Sequence, residues 1–342
     1  MPQQPTSPAS PPLVAPAPEA EAVTPTTRKR NPLVSWLLRL AGTALLLFFL
    51  WKLDLDPGKV VQELLSANMW LVAFSVVLVF PLIALEAWRW HTILKDLGIP
   101  VSFDRAYRLY AFGMAAGSLT PGQAGDFIKA WNLQQEGYSL STALLSNVLD
   151  RLFDIAVLVL LASSGLLLLG SGFLSLLPAL VALLLGLVAG LVVLSIPTWR
   201  DKLVGLALRI VLRRKTDATQ GDPESRLRPV RFVRVFFLTL AATAMVLFRV
   251  WLLALALGLN LNFLELVASS SLATVAALIP ISIGGIGTRD LALKGILAKI
   301  GYSAEKAVSL STFILLLQVV NLGAGYLVWF LRPKSEKNVE KS

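Results

Sequence analysis

The stretch Ala276–Asp290, AALIPISIGGIGTRD, begins as a membrane helix and stops being one where it should lie deepest in lipid. Pro280 removes a backbone donor, Gly284, Gly285 and Gly287 loosen the chain, and Arg289 and Asp290 end the run on charge. Irregular backbone at membrane depth is tolerated only where protein or a wet cavity surrounds it. The stretch therefore reads as the tip of a re-entrant helical hairpin, or as a surface loop between two ordinary helices.

The chain around it is built for lipid. Of 342 residues, 56% are hydrophobic and 15% charged, with mean hydropathy +0.70. That lies outside the soluble globular range, and apolar segments of roughly 20 residues recur, enough to cross a bilayer. An all-α polytopic membrane protein is expected. The net charge of +10 comes from Lys and Arg clustered beside apolar spans, as topology signals are, so no nucleic-acid partner is expected. There is no cysteine and one histidine, His91. These counts exclude disulfides, thiol chemistry and a multi-His metal site, and no metal or cofactor is expected.

Residues 1–32 read as a disordered, Pro-rich cytoplasmic tail closing on Arg28, Lys29 and Arg30, with no cleavable signal peptide. The membrane domain is expected over 33–331, with full spans at 33–51, 69–92, 141–169, 173–196, 233–258 and 308–331. The basic loop 197–232 and the tail 332–342 are expected in the cytoplasm. Following the chain across, 52–68 is outside, 104–136 must dip in from the cytoplasm and return, and 264–300 must dip in from outside and return. Segment 104–136 breaks at TPGQAG, with Pro121, Gly122 and Gly125. The expected architecture is about six full spans plus two re-entrant helical hairpins.

The two broken regions align. Arg89 with Arg249, Leu97-Gly98 with Leu257-Gly258, and Phe103 with Phe263 are each 160 positions apart. Pro121 with Pro280 and Gly125 with Gly284 follow at 159, and Gly137-Tyr138-Ser139 with Gly301-Tyr302-Ser303 at 164. The constant order predicts an internal repeat, about 69–169 and 233–331. The copies start on opposite sides and would be inverted, a transporter pattern with its site near the repeat interface.

Candidate site residues are the charges beside the breaks. Asp126 and Lys129 follow the first break; Arg289 and Asp290 follow the second. A helix starting after a Gly-rich break offers free N–H groups to an anion, and a guanidinium suits phosphate. Plain capping ion pairs explain the same residues. Asp150 and Asp154 share a helix face, with Arg151 able to reach Asp154. Intramembrane charges of this kind face a cavity or one another. Snorkelling accounts for Arg89 and His91, whereas Arg249 lies well inside its span. Gln318 and Asn321 suit helix–helix contacts.

Enzyme signatures are sparse. Asp54-Leu-Asp56 is formally D-x-D but stands alone beside a span end, and Gly284–Gly287 lacks the context of a nucleotide loop. The segments Leu119–Ala130 (LTPGQAGDFIKA), Asn147–Arg151 (NVLDR) and Pro280–Asp290 (PISIGGIGTRD) resemble the lysylphosphatidylglycerol synthase transmembrane, or flippase-domain, family over roughly 35–331. The resemblance implies a lipid-flippase fold, a polar-lipid substrate, and a headgroup cavity near Asp126, Arg151 and Arg289. Lys129 and Asp290 stand where Arg and Glu are expected, keeping the charge. No soluble aminoacyl-transferase domain is seen, so lipid lysylation is not expected.

The expectation is a lipid flippase or polar-lipid-binding transporter of the bacterial cytoplasmic membrane, not an enzyme, with both termini in the cytoplasm. Its headgroup site would draw on Asp126, Lys129, Asp150, Arg151, Arg249, Arg289 and Asp290. Its partner would be a membrane phospholipid or glycolipid, with a homo-oligomer or a lipid-biosynthesis partner also open. The alternatives are a membrane-embedded glycosyl- or phospho-transferase, or an accessory subunit of a lipid-biosynthesis complex.

Overall fold

Pro81 cannot donate to the carbonyl of Val77, and the first long apolar stretch of the described residues divides near there into two helices. The computed structural model describes residues 57–118, 120, 125–169, 171–196, 198–199, 202, 229–278 and 288–331. These lie in the unit Gly42–Ser342; a second unit, Met1–Ala41, falls outside the described residues. So do the expected span 33–51, most of loop 197–232, the tail 332–342, and the predicted breaks Pro121, Gly122, Pro280, Gly284, Gly285 and Gly287.

Every described regular element is helical: α1 (Pro57–Ser66), α2 (Met69–Val77), α3 (Val79–Asp96), α4 (Phe103–Ser118), α5 (Ile128–Gln135), α6 (Leu140–Leu169), a 3₁₀ turn (Ser171–Leu176), α7 (Leu177–Ser195), α8 (Pro229–Ala256), α9 (Phe263–Ala277), α10 (Thr288–Lys299) and α11 (Ala304–Phe330). Four stretches are long and apolar enough to cross a membrane: Met69–Asp96, Leu174–Leu194, Phe232–Ala256 and Ala304–Phe330. The chain is a multi-pass helical membrane protein. Helix α6 has 30 residues, roughly 45 Å at the α-helical rise, with its charges in the first half. Residues 52–68, expected only as an outer connection, contain α1, which packs on α11. Exposed Trp70, Leu185 and Phe330 are side chains suited to lipid.

The aligned residues adopt matching local structure. Gly98 (φ 77°) and Gly258 (φ 66°) end α3 and α8. In both, the residue after glycine donates back five positions, Ile99 N to Leu94 O and Leu259 N to Ala254 O, each at 2.9 Å. Gly137 (φ 91°) and Gly301 (φ 99°) close α5 and α10 alike, with Tyr138 N to Leu133 O at 3.1 Å and Tyr302 N to Leu297 O at 3.0 Å. These are Schellman closures, which need a left-handed residue. A side-chain brace repeats too. The His91 ring bonds Val101 O at 3.0 Å, and Trp251 Nε1 donates to Leu261 O at 3.1 Å. Each ring meets Phe103 or Phe263 edge-on, at 5.7 and 5.8 Å. His91 is thus a buried brace, not a snorkelling side chain.

A Cβ at Gly98 or Gly258 would touch nothing within 4 Å. Gly98→Ala and Gly258→Ala should therefore each lower stability by the left-handed backbone penalty alone, about 1–2 kcal/mol. Comparing thermal midpoints in detergent checks this.

The helices interlock across the alignment. The two most extensive contacts pair α9 with α6 and α11 with α4, so each four-helix series, α3–α6 and α8–α11, packs its last helix on the second helix of the other. Each contact closes on a glycine: a Cβ on Gly165 would lie 2.5 Å from Ala268 Cα, and one on Gly325 2.3 Å from the Ala111 carbonyl oxygen. Helices α3 and α8 pack together and bring Arg89 and Arg249 into the interior.

Candidate functional site

Helical spacing gathers the charges of the first series. Asp150 and Asp154 lie one turn apart on α6, with Asn147 a turn before them. The 3₁₀ turn 125–127 and α5 present Asp126 and Lys129 at i,i+3; α3 contributes Glu86, Arg89 and Trp90, and α4 contributes Tyr110. Two glycines make the room. A Cβ on Gly113 of α4 would stand 2.5 Å from Lys129 Cγ and 2.7 Å from Asp126 Oδ1. One on Gly125, the described residue of the first break, would stand 2.2 Å from the Ala116 carbonyl oxygen. Gly125 lets the turn lie directly on α4.

The charges form one connected cluster. Arg89 Nε donates to Asp150 Oδ1 at 2.8 Å, and its Nη2 donates to Asp154 Oδ2 at 3.0 Å and to Tyr110 at 3.2 Å. Nη1 also pairs with Asp154. Lys129 Nζ lies 2.9 Å from Asp126 Oδ1 and 3.6 Å from Asp150 Oδ2. Both contacts are Coulombic, since neither Lys129 Nζ nor Asp150 Oδ2 has an aligned hydrogen bond. The ammonium also faces the Tyr110 and Trp90 rings, at 4.1 and 4.9 Å, a cation–π arrangement. Arg151 Nη2 donates to Asp126 Oδ2 at 2.9 Å.

Three cations thus meet three carboxylates, with half-buried Glu86 acting on Arg89 through space. Neutrality matters here, because an unpaired buried charge is strongly destabilising. The cluster is sealed at Arg89, Lys129 and Asp150 and open at two side chains, Arg151 (31% exposed) and Asp154 (29%). A polar molecule meets those two groups first.

Asp126, Lys129, Asp150 and Arg151 come together as one site. Arg289 and Asp290 sit apart at the start of α10, paired with each other at 3.2 Å. Arg249 is separate again: Nε donates to Ser75 O at 2.8 Å and Nη1 to Asn321 Oδ1 at 3.0 Å. Two local expectations change. Arg89 does not snorkel; it is fully buried and joins the two aspartates. Arg151 reaches across to Asp126 rather than along its own helix to Asp154. Tyr110 and Trp90 gave no warning in the sequence, as aromatic residues in apolar helices are ordinary. The alignment of Arg89 with Arg249 was the available signal for Arg89.

The model of the lysylphosphatidylglycerol synthase transmembrane region matches residues 36–325. The chain belongs to that family. Family similarity extends to archaeal relatives described only as UPF0104 membrane proteins. One, from Pyrococcus horikoshii, is 23% identical over 308 residues, covering 82% of this chain and 91% of the relative. Another, from Methanothermobacter thermautotrophicus, is 25% identical over 265 residues, covering 70% and 78%. The matched region holds the ion cluster and the interlocked helices up to residue 325 of α11.

Proposed function

We propose that the protein binds a polar lipid and moves its headgroup across the membrane. The observation that carries this is the buried ion cluster of three cations on three carboxylates, partly exposed at Arg151 and Asp154. Among the described residues Arg151 is held by a single carboxylate, so a lipid phosphate can exchange with Asp126 on the guanidinium. Asp126 Oδ2, once released, can take an ammonium or hydroxyl of the headgroup while Oδ1 stays on Lys129. Arg289, mostly buried beside the second break, serves phosphate from the other series. Family membership and the all-helical membrane fold support a lipid-related role.

In this reading the two series are inverted repeats, and α4–α5 and α9–α10 are re-entrant hairpins. All four of those helices are shorter than the roughly 20 residues a full crossing needs. Both termini and the basic loop face the cytoplasm, the protein sits in the cytoplasmic membrane, and it acts as a carrier rather than an enzyme. Alternate opening of the two hairpins exposes the headgroup site to each side in turn.

The test uses proteoliposomes carrying fluorescent phosphatidylglycerol or phosphatidylethanolamine and an outer-leaflet quencher. Wild type should accelerate loss of protected signal, and Arg151→Ala should slow it about tenfold or more, as expected for a lost charge-assisted contact. Arg105→Ala, which breaks a partly exposed pair with Glu136, should leave it unchanged. Equal rates for Arg151→Ala and wild type, or no acceleration by wild type, would sink the proposal.

A further inference from the structure

Arg89 and Arg249 occupy matching places but not matching company. Both are buried, at 0% and 2% exposure, and both sit nine residues before the glycine that closes their helix. Arg89 holds two carboxylates. Among the described residues no carboxylate reaches ion-pair distance of Arg249; Glu86 acts on it only through space. Its neutral partners leave Nη2 buried and without a hydrogen bond.

The alignment explains the difference. Carried on from Gly137 and Gly301, the same register pairs Ala143 with Ala307, Leu149 with Phe313 and Phe153 with Leu317, all buried. It then sets Ile314 opposite Asp150 and Gln318 opposite Asp154. The second series has kept the arginine and lost both counter-ions. An uncompensated guanidinium in a membrane bundle is costly, and a fork with a free donor suits a tetrahedral oxyanion. Ser75 lies fourteen residues before Arg89 on α2–α3, roughly 20 Å away at the helical rise. The arginine bound to Ser75 is therefore separated from the first cluster along α2–α3, with Glu86 acting on both arginines.

We infer that Arg249, with Asn321, is a second anion site whose counter-ion is supplied by the ligand: a phosphate ester, either a lipid headgroup or free phosphate. The inference rests on the polar-lipid reading above and gives it a second station for phosphate, separate from Arg151. Entry of the anion requires α2, α8 and α11 to part locally, because Nη2 is sealed in this state.

The test is a thermal-stability titration of delipidated full-length protein in a neutral maltoside detergent. Dioctanoylphosphatidylglycerol should raise the wild-type midpoint, and dioctanoylglycerol, which lacks the phosphate, should not. Arg249→Gln keeps a donor for Ser75 O and should need about tenfold or more lipid for the same rise. Without lipid it should be at least as stable as wild type, since it removes an uncompensated charge. If sodium phosphate at matched ionic strength reproduces the rise, and Arg249→Gln abolishes it, the oxyanion site stands with a solute as its source. Should Arg249→Gln not fold, Arg249→Lys takes its place, keeping charge without the fork and shifting the titration partway. An unchanged titration in the variant overturns the inference, as does equal stabilisation by dioctanoylglycerol. Translocation that persists in that case would leave the lipid-carrier reading intact, since that reading is judged on Arg151.

Discussion

Arg89→Met should leave little folded protein. The substitution preserves bulk but removes, among the described residues, the only donor on Asp150 Oδ1 and both donors on Asp154, and takes a partner from Tyr110. Lys129 remains, but it lies 3.6 Å from Asp150 and is already engaged with Asp126. Removing one partner of a buried ion pair costs about 3–5 kcal/mol, a large share of the roughly 5–15 kcal/mol that holds a domain together. The measurement is the monodisperse fraction after detergent extraction, with the thermal midpoint of what survives. Arg105→Met, which breaks a pair 21% and 29% exposed, should cost no more than about 1 kcal/mol. Adding Asp150→Asn to Arg89→Met should restore part of the loss by removing one stranded charge. An Arg89→Met protein that melts with wild type would mean that the cluster is not a structural unit.

Gly325→Leu should part α4 from α11. The added Cβ would stand 2.3 Å from the Ala111 carbonyl oxygen and 2.8 Å from Ala115 Cβ. The first obstacle is backbone, so no rotamer change relieves it. Overpacking a well-packed interior typically costs 1–3 kcal/mol, and a clash with main chain belongs at or above the top of that range. The effect should reach function, because α4 also carries Tyr110 and the Gly113 notch that receives Lys129 and Asp126. Two residues away, Gly323 has nothing within 4 Å of an added Cβ. Gly323→Leu should fold and keep its translocation rate. If both variants behave alike in stability and in translocation, the α4–α11 contact is not the constraint described.

Hydropathy and the positive-inside pattern are read residue by residue, so the membrane class was legible in the chain. So were the approximate limits of the α2–α3 stretch, though not its division, and of α6, α7, α8 and α11, because length and apolarity are local properties. The matching turns were legible through glycine, since a left-handed cap tolerates little else and Gly98, Gly137, Gly258 and Gly301 close their helices alike. Candidate charges were found because ionisable residues are rare in such segments. Their partners were not. Arg89 lies 61 positions from Asp150, and Arg151 lies 25 from Asp126; such pairings depend on how helices cross, which no single-helix period encodes. That is why Arg89 looked like a snorkelling residue and Arg151 like a partner for Asp154. The alignment set Arg89 and Arg249 as equals. Only tertiary packing decided that one is neutralised by two aspartates while the other keeps a buried, unmatched donor.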